Sequence, residues 1–202
     1  MKHKSTTPVS NLQLLPAGMS PADNNIEFVG QKPTKTVVWF QFGNAHTWSE
    51  LPKKYYKACE ELFLTDIEAV RILPNHYKDL AHNVNRLTEL YIYHMYGGCD
   101  QSPDMIDGVL QPCENFRETK DCLSLEFDNK YIDINGIHLS QRDLKILDMA
   151  MENMPDKLIA HHLGITLSTF DFHKKNLFKK LGIDSKVSFV IHGLKNHILC
   201  ES

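Results

Sequence analysis

Lys174, Lys175, Lys179 and Lys180 place four ammonium groups within the short run "HKKNLFKKL". Ammonium groups at that density neutralise phosphates, and contacts of this kind carry sequence-independent, salt-sensitive affinity for nucleic acid. Just ahead of them stand Asp171 and Phe172, an acid and a large apolar ring on the side that would meet the anion. A carboxylate there is repelled by phosphate, yet it can accept a hydrogen bond from cytosine N4, and a phenyl ring can pack on a thymine methyl. The chemistry these residues offer is recognition, with lysines for grip and the Asp-Phe pair for base edges.

A second constellation is His94, Cys99, Cys113 and Cys122, ligand types able to close a tetrahedral zinc site. The gaps of 4, 13 and 8 residues between them contain no CxxC pair and follow no zinc spacing. They are therefore read as structural cysteines, with no metal and no cofactor expected. Five cysteines, an odd and irregularly spaced set, do not form a disulfide framework and point to a reducing cytoplasm. A nucleophile elbow, a phosphate-binding glycine loop and HExxH are all missing from the sequence, so an enzyme is not expected.

Net charge is −3, distributed unevenly. From residue 137 onward there are nine Lys/Arg against seven Asp/Glu, and before it 13 against 18. A weakly basic end behind an acidic region suits nucleic-acid contact at one end only. No run approaches the roughly 18 apolar residues of a membrane span, and the first residues have no apolar core of a secretory signal.

The elements that must position these residues follow from periodicity. Residues 1–34, rich in Pro, Ser, Asn and Gly, read as a flexible arm with a docked segment at "IEFVG". "KTVVWFQF" reads as a strand. Tyr56, Cys59, Phe63, Ile67 and Val70 predict one helix from Leu51 to Leu73, stopped by Pro74. Leu80, Val84, Leu87, Tyr91 and His94 predict a second, ending at Gly97-Gly98. Residues 99–120 read as a loop, and 122–136 as a hairpin turning at "DNK".

Beyond Leu139 the pattern is helical throughout. Ser140 is a suitable N-cap for a helix carrying Leu144, Leu147 and Met151, and Asn153 a suitable left-handed terminator. Pro155 opens a short helix with Ile159, Ala160 and Leu163 inward, Gly164 makes a turn, and Thr166 caps a third helix to Leu181. A fourth carries Val187, Val190, Ile191, Leu194 and Ile198. Periodicity alone serves a helix-turn-helix and a plain helical bundle equally well.

The elements "LSQRD", "LIAHHLGIT", "STFDFHKKN" and "KKLGI" occur at the intervals of LuxR-type (GerE-like) regulators, and residues 139–198 resemble that family's DNA-binding domain. Asn153 replaces a usual glycine, Lys186 an arginine, and Phe170 a smaller hydrophobe. The resemblance implies a tetrahelical domain whose third helix enters the major groove of double-stranded DNA. Phe170, His173, Leu177 and Leu181 would then face inward. Ser168, Asp171, Phe172, Lys175 and Lys179 would face the DNA, flanked by Lys174, Asn176 and Lys180. Thr166 and Thr169 would offer donors at the helix N-terminus, and His173 is read as packed or phosphate-bonded.

The expected protein is mainly α, with a flexible arm at 1–34, a small α+β regulatory or oligomerisation domain at 35–134, and the helix-turn-helix at 137–202. A receiver domain is rejected, because "TVVWFQFGNAH" lacks the acidic pair and the chain lacks βαβ alternation. The resemblance implies a cytoplasmic transcription regulator acting as a homodimer, with RNA polymerase a further candidate partner. Phe189, Gly193 and Asn196 are assigned to the dimer face. The competing class is an interaction module that keeps the fold without binding DNA, a reading suggested by Asp171.

Overall fold

The structure, a computed structural model, describes residues 15–198. Of the 1–34 arm read from the sequence, residues 1–14 lie outside the described residues. The rest includes strand β1 (Glu27–Gln31), which pairs antiparallel with β2 (Thr36–Gln41), itself paired with β3 (Asn44–Thr47). Alternation in β2 points Val37 and Trp39 into the core. Against this sheet lies α3 (Val84–Tyr96), buried on all sides from Leu87 onward, which makes it the central helix of the unit. Gly30 permits that contact: a Cβ there would meet the Tyr93 ring at 2.8 Å.

The single helix expected from Leu51 to Leu73 is two, α1 (Lys53–Thr65) and α2 (Ile67–His76). Asp66 breaks it. Its carboxylate caps α2 through Ala69 N, and also accepts from Asp128 N, Asn129 N and the Tyr91 hydroxyl, so residue 66 leaves the helical path to serve partners far along the chain. The break shifts the phase, so that Ala69 and Leu73 turn inward while Ile67 and Val70 are exposed. Pro74 sits inside α2 rather than ending it. In the stripe assigned to the next helix, Val84 is exposed and Leu80 belongs to a 3-10 turn before it.

Two short hairpins lie between α3 and the C-terminal helices. Strands β4 (Met105–Ile106) and β5 (Val109–Leu110), inside the expected 99–120 loop, turn at Asp107-Gly108, both at positive φ. Strands β6 (Asp133–Ile134) and β7 (Ile137–His138) turn in the same way at Asn135-Gly136. The hairpin expected to turn at "DNK" does not form. Residues 128 and 129 are held by Asp66, the Lys130 ammonium reaches inward to three carbonyls, and Leu123–Glu126 form a 3-10 turn.

Four helices complete the chain: α4 (Gln141–Met151), α5 (Asp156–His162), α6 (Leu167–Leu181) and α7 (Lys186–Lys195). The described residues therefore carry seven α-helices and three small sheets. They bury two separate apolar clusters. The first is aromatic, built on Phe28, Trp39, Phe63, Tyr91, Tyr96 and Phe127. The second is largely aliphatic and begins at Ile132 and Ile134, ahead of residue 137, continuing through Leu147, Ile159, Phe170 and Phe189.

Candidate nucleic-acid interface

Local signals set the path into α6. Ser140 caps α4 in a capping box with Asp143, and Asn153, at φ 57°, ends that helix's turn in the left-handed conformation. Gly164, at φ 67°, makes the turn after α5, and Thr166 Oγ1 accepts from Thr169 N at 3.1 Å to cap α6. Gly182, left-handed at φ 65°, closes the helix. The angle between α5 and α6 is held by the apolar set Ile159, Ala160, Phe170 and Leu177, all buried.

With that face of α6 turned inward, the other is open. Ser168, Asp171, Phe172, Lys175 and Lys179 are exposed and, at 3.6 residues per turn, occupy an arc of about 100°. Phe172 is 64% exposed, a large apolar surface left in water by the fold. Thr169 and Asn176 are exposed at the margin of the arc. The Thr166 and Thr169 hydroxyls lie 2.8 Å apart and are tied to the cap, while the first-turn N–H groups of any helix have no intrahelical acceptor.

Three of the residues assigned from sequence stand apart from that arc. His173 is half-buried beside α4, where Nε2 lies 3.1 Å from Arg142 Nη1; a guanidinium only donates, so this nitrogen accepts. Lys174 is half-buried with its ammonium on the Asp156 carboxylate, 3.7 Å from Asp171 Oδ1 and 5.5 Å from the Phe170 ring centre. It joins α6 to α5 and sets a positive charge beside Asp171. Lys180 donates to the His138 carbonyl at 2.8 Å. Lys175 and Lys179 remain as the exposed cations of the face.

Arg142, Asp156 and Lys186 are the positioning residues that the sequence reading did not assign. Arg142 stands in the "LSQRD" element, so its exposed place in the first turn of α4 was the available signal. Lys186, where the family resemblance leads one to expect arginine, donates to the Met154 carbonyl and ties α7 to the turn before α5. The face assigned to dimerisation is corrected. Phe189 and Gly193 are buried, Phe189 against Phe178 at 5.6 Å between ring centres. Of the apolar residues that the sequence reading gave to this helix, Val187, Ile191 and Leu194 are exposed, at 69%, 42% and 55%, whereas Ile198 is buried.

His94, Cys99, Cys113 and Cys122, the set weighed as a zinc site and read as structural, do not meet at one point. Among the described residues Cys99 is exposed, His94 is buried beside Cys122 at 3.6 Å between Nδ1 and Sγ, and Cys113 lies against the Tyr131 backbone.

Residues 138–192 match the family model described as bacterial regulatory proteins, luxR family, and they are a LuxR-family helix-turn-helix domain. The oxygen regulatory protein NreC of Staphylococcus aureus strains JH9, JH1 and NCTC 8325 is in each case 36% identical over 61 residues. That stretch is 30% of this chain and 28% of the relative, so the chain matches little more than a quarter of these curated relatives' length. No solved structure matches the chain. No helix among the described residues is long and apolar enough to cross a membrane.

Proposed function

We propose that the chain is a sequence-specific DNA-binding transcription regulator that inserts α6 into the major groove. The observation that carries this is the open face of α6. Five neighbouring side chains there, two of them lysines and one a bare phenyl ring, are exposed and match what a groove offers: phosphates, base-edge donors and thymine methyls. Lys175 and Lys179 supply the grip, and Ser168, Asp171 and Phe172 the reading. Asp171 is tolerable near phosphate because the Lys174 ammonium and the helix N-terminus both offset its charge.

A single helix covers too few base pairs for operator specificity, and a two-fold dimer reads two half-sites one helical turn apart. Val187, Ile191 and Leu194, at i, i+4 and i+7 of α7, form the apolar stripe that a second copy would cover. The regulator acts on chromosomal DNA in the cytoplasm. A binding-site selection at low salt, followed by gel shifts of the selected site at 50 and 200 mM salt, tests the reading. Enrichment of a palindrome bound by two copies supports it. Failure to enrich any sequence favours the interaction module, a reading that Lys174's engagement with Asp156 keeps alive by removing one cation from the face.

A further inference from the structure

Glu27, Asp104 and Glu114 stand 77 and 10 residues apart in sequence, yet each brings a carboxylate oxygen within 4.8 Å of the others. Glu27 is 0% and Asp104 2% exposed. The backbone builds this meeting: Ile26 and Met105 exchange N–H···O bonds of 3.0 and 3.1 Å, which lays β1 beside residue 104. Each carboxylate is then pinned through one oxygen by a backbone N–H. Asp100 N donates to Glu27 Oε1 at 2.8 Å, Phe28 N to Asp104 Oδ2 at 2.7 Å, and Gly98 N to Glu114 Oε2 at 2.7 Å. The second oxygens of Glu27 and Glu114 are buried with no partner.

We infer that Glu27, Asp104 and Glu114 form a binding site for a hard divalent cation of the Ca²⁺, Mn²⁺ or Mg²⁺ class. Buried acceptors without donors are costly unless something fills them, and a carboxylate-only set is the chemistry of hard cations. The nearby Lys130 ammonium does not serve, because its three protons go to the carbonyls of His94, Met95 and Glu114. Three carboxylates outnumber the one buried ammonium, and Asp100 beside them adds to the negative field, so a divalent ion is the complementary charge. Asp104 and Glu114 also line a cavity of about 720 Å³, through which an ion and its remaining water ligands can enter.

Without an ion the cluster holds protons instead. Burial, opposed by the Asp100 N–H and reinforced by Glu114, Asp100 and Asp23, pushes the Glu27 carboxyl up to about 8. Burial and Asp100, opposed by the Gly98 N–H and Lys130, push Glu114 to about 7, and burial with both neighbouring acids raises Asp104. Cys113 and Cys99, which line the same cavity, are themselves raised by burial; Lys32, Asp100, Arg117, Asp133 and His197 are the other charged or titratable groups along its walls. Cation binding displaces protons from the carboxyls to solvent, so affinity falls as pH falls from 8 to 6.

The site also touches the helical unit. Asn115, next to Glu114, donates to the Asn196 carbonyl at 2.7 Å, and Leu194, Asn196 and His197 form another wall of the same cavity. An ion that fixes Glu114 thereby fixes the chain segment holding the end of α7. The site stands whether or not α6 reads DNA.

Titration calorimetry of the full chain with Mn²⁺, Ca²⁺ or Mg²⁺ at pH 8, in two buffers of different ionisation heat, is the test. Expected are one ion per chain, proton release, and binding weakened at least about tenfold in Glu27→Gln and Glu114→Gln; even outer-shell changes reach that loss. Glutamine keeps each pinned acceptor and removes a buried charge, so both variants should melt no lower than the parent at pH 8 without cation. Hydrogen exchange should slow at residues 114–117 and 194–198 when the ion is added. Absence of binding at millimolar cation overturns the site, as does binding unchanged in both glutamine variants. Zinc held through Cys99 and Cys113 with no response to Glu27→Gln would overturn it too.

Discussion

The N-terminal unit takes Glu27, Asp66, Glu89, His94, Asp104 and Lys130 out of water, whereas the helical unit buries Asp148 and satisfies it with Arg117 from the connecting segment. The first core is aromatic and laced with polar groups that find partners 25 to 76 residues away. The second is aliphatic, and its polar bonds are mostly helix caps spanning three or four residues. A fold of the second kind is held by burial along a stripe and by local stops. A fold of the first kind is held by a network that exists only when distant segments are in place. Of the buried carboxylates in the first unit, Glu27 and Glu114 each keep an oxygen without a partner, while in the second the charge other than Asp148 lies toward the surface.

The largest expected effect comes from cutting the chain between the two. A fragment of residues 130–202 retains Ile132 and Ile134, buried at 2% and 0% exposure, and the β6–β7 hairpin; one of residues 137–202 loses all three. Each fully buried isoleucine contributes about 1.5–3 kcal/mol, so the shorter fragment should be less stable by about 3–6 kcal/mol. A small domain has only a few kcal/mol in total, so the shorter piece should be largely unfolded at 25 °C by circular dichroism. Equal melting temperatures would mean that the second core closes without its entry strand.

Next in size is the ion pair that crosses between the units. Arg117 Nη2 lies 2.7 Å from Asp148 Oδ1 and 2.9 Å from the Ile198 carbonyl, with its guanidinium fully buried. Arg117→Ala strands Asp148 without its partner, which costs about 3–5 kcal/mol. Urea unfolding should show that loss, and Asp148→Ala in the same chain should restore part of it. Additive losses in the double variant would mean that Arg117 acts through the Ile198 carbonyl instead.

The same contrast decides what could be read from sequence. Ser140, Asn153, Thr166 and Gly182 act on their own neighbours, so the residue type at the right offset suffices to place α4 and α6. The inward set Phe170, Leu177 and Leu181 repeats with the helix and is legible for the same reason. Asp66 was illegible because its role depends on Asp128, Asn129 and Tyr91, and a helical stripe drawn through it gave one helix where there are two. The carboxylate cluster was invisible likewise, since nothing local joins residue 27 to 104 and 114. On α7 two apolar stripes coexist, and periodicity cannot say which one meets the core; Phe178 makes that choice. The Asp107-Gly108 and Asn135-Gly136 turns, by contrast, carry a local hairpin signal in their residue types.

On the open face of α6 the expected effects are smaller and differ in kind. Asp171→Ala should relax preference at one base pair by about 1–3 kcal/mol without weakening non-specific binding. Lys179→Ala should weaken all sequences alike and reduce the salt slope by about one. Binding-site selection with each variant separates the two, and an unchanged preferred site in Asp171→Ala would leave that carboxylate as a partner of Lys174 alone.

The smallest effect belongs to Lys120, three residues beyond Arg117 in the same segment. Its ammonium pairs with Glu152, one turn beyond Asp148, so two cations of one segment meet two acids of one helix end. What separates them is water: the Lys120 and Glu152 side chains are 43% and 49% exposed, those of Arg117 and Asp148 0% and 9%. In water the Coulomb gain is small and holding two long side chains in one geometry offsets most of it, so Lys120→Ala should cost about 0–1 kcal/mol. The Lys120 carbonyl that accepts from Arg117 survives the substitution. In 1 M salt, where charges more than about 3 Å apart at the surface are screened, the Lys120→Ala cost should vanish while that of Arg117→Ala persists. Urea unfolding of both variants at 0.05 and 1 M salt measures the difference. Equal salt sensitivity would mean that the joint between the units opens to water, and that Arg117 is held no better than its exposed neighbour.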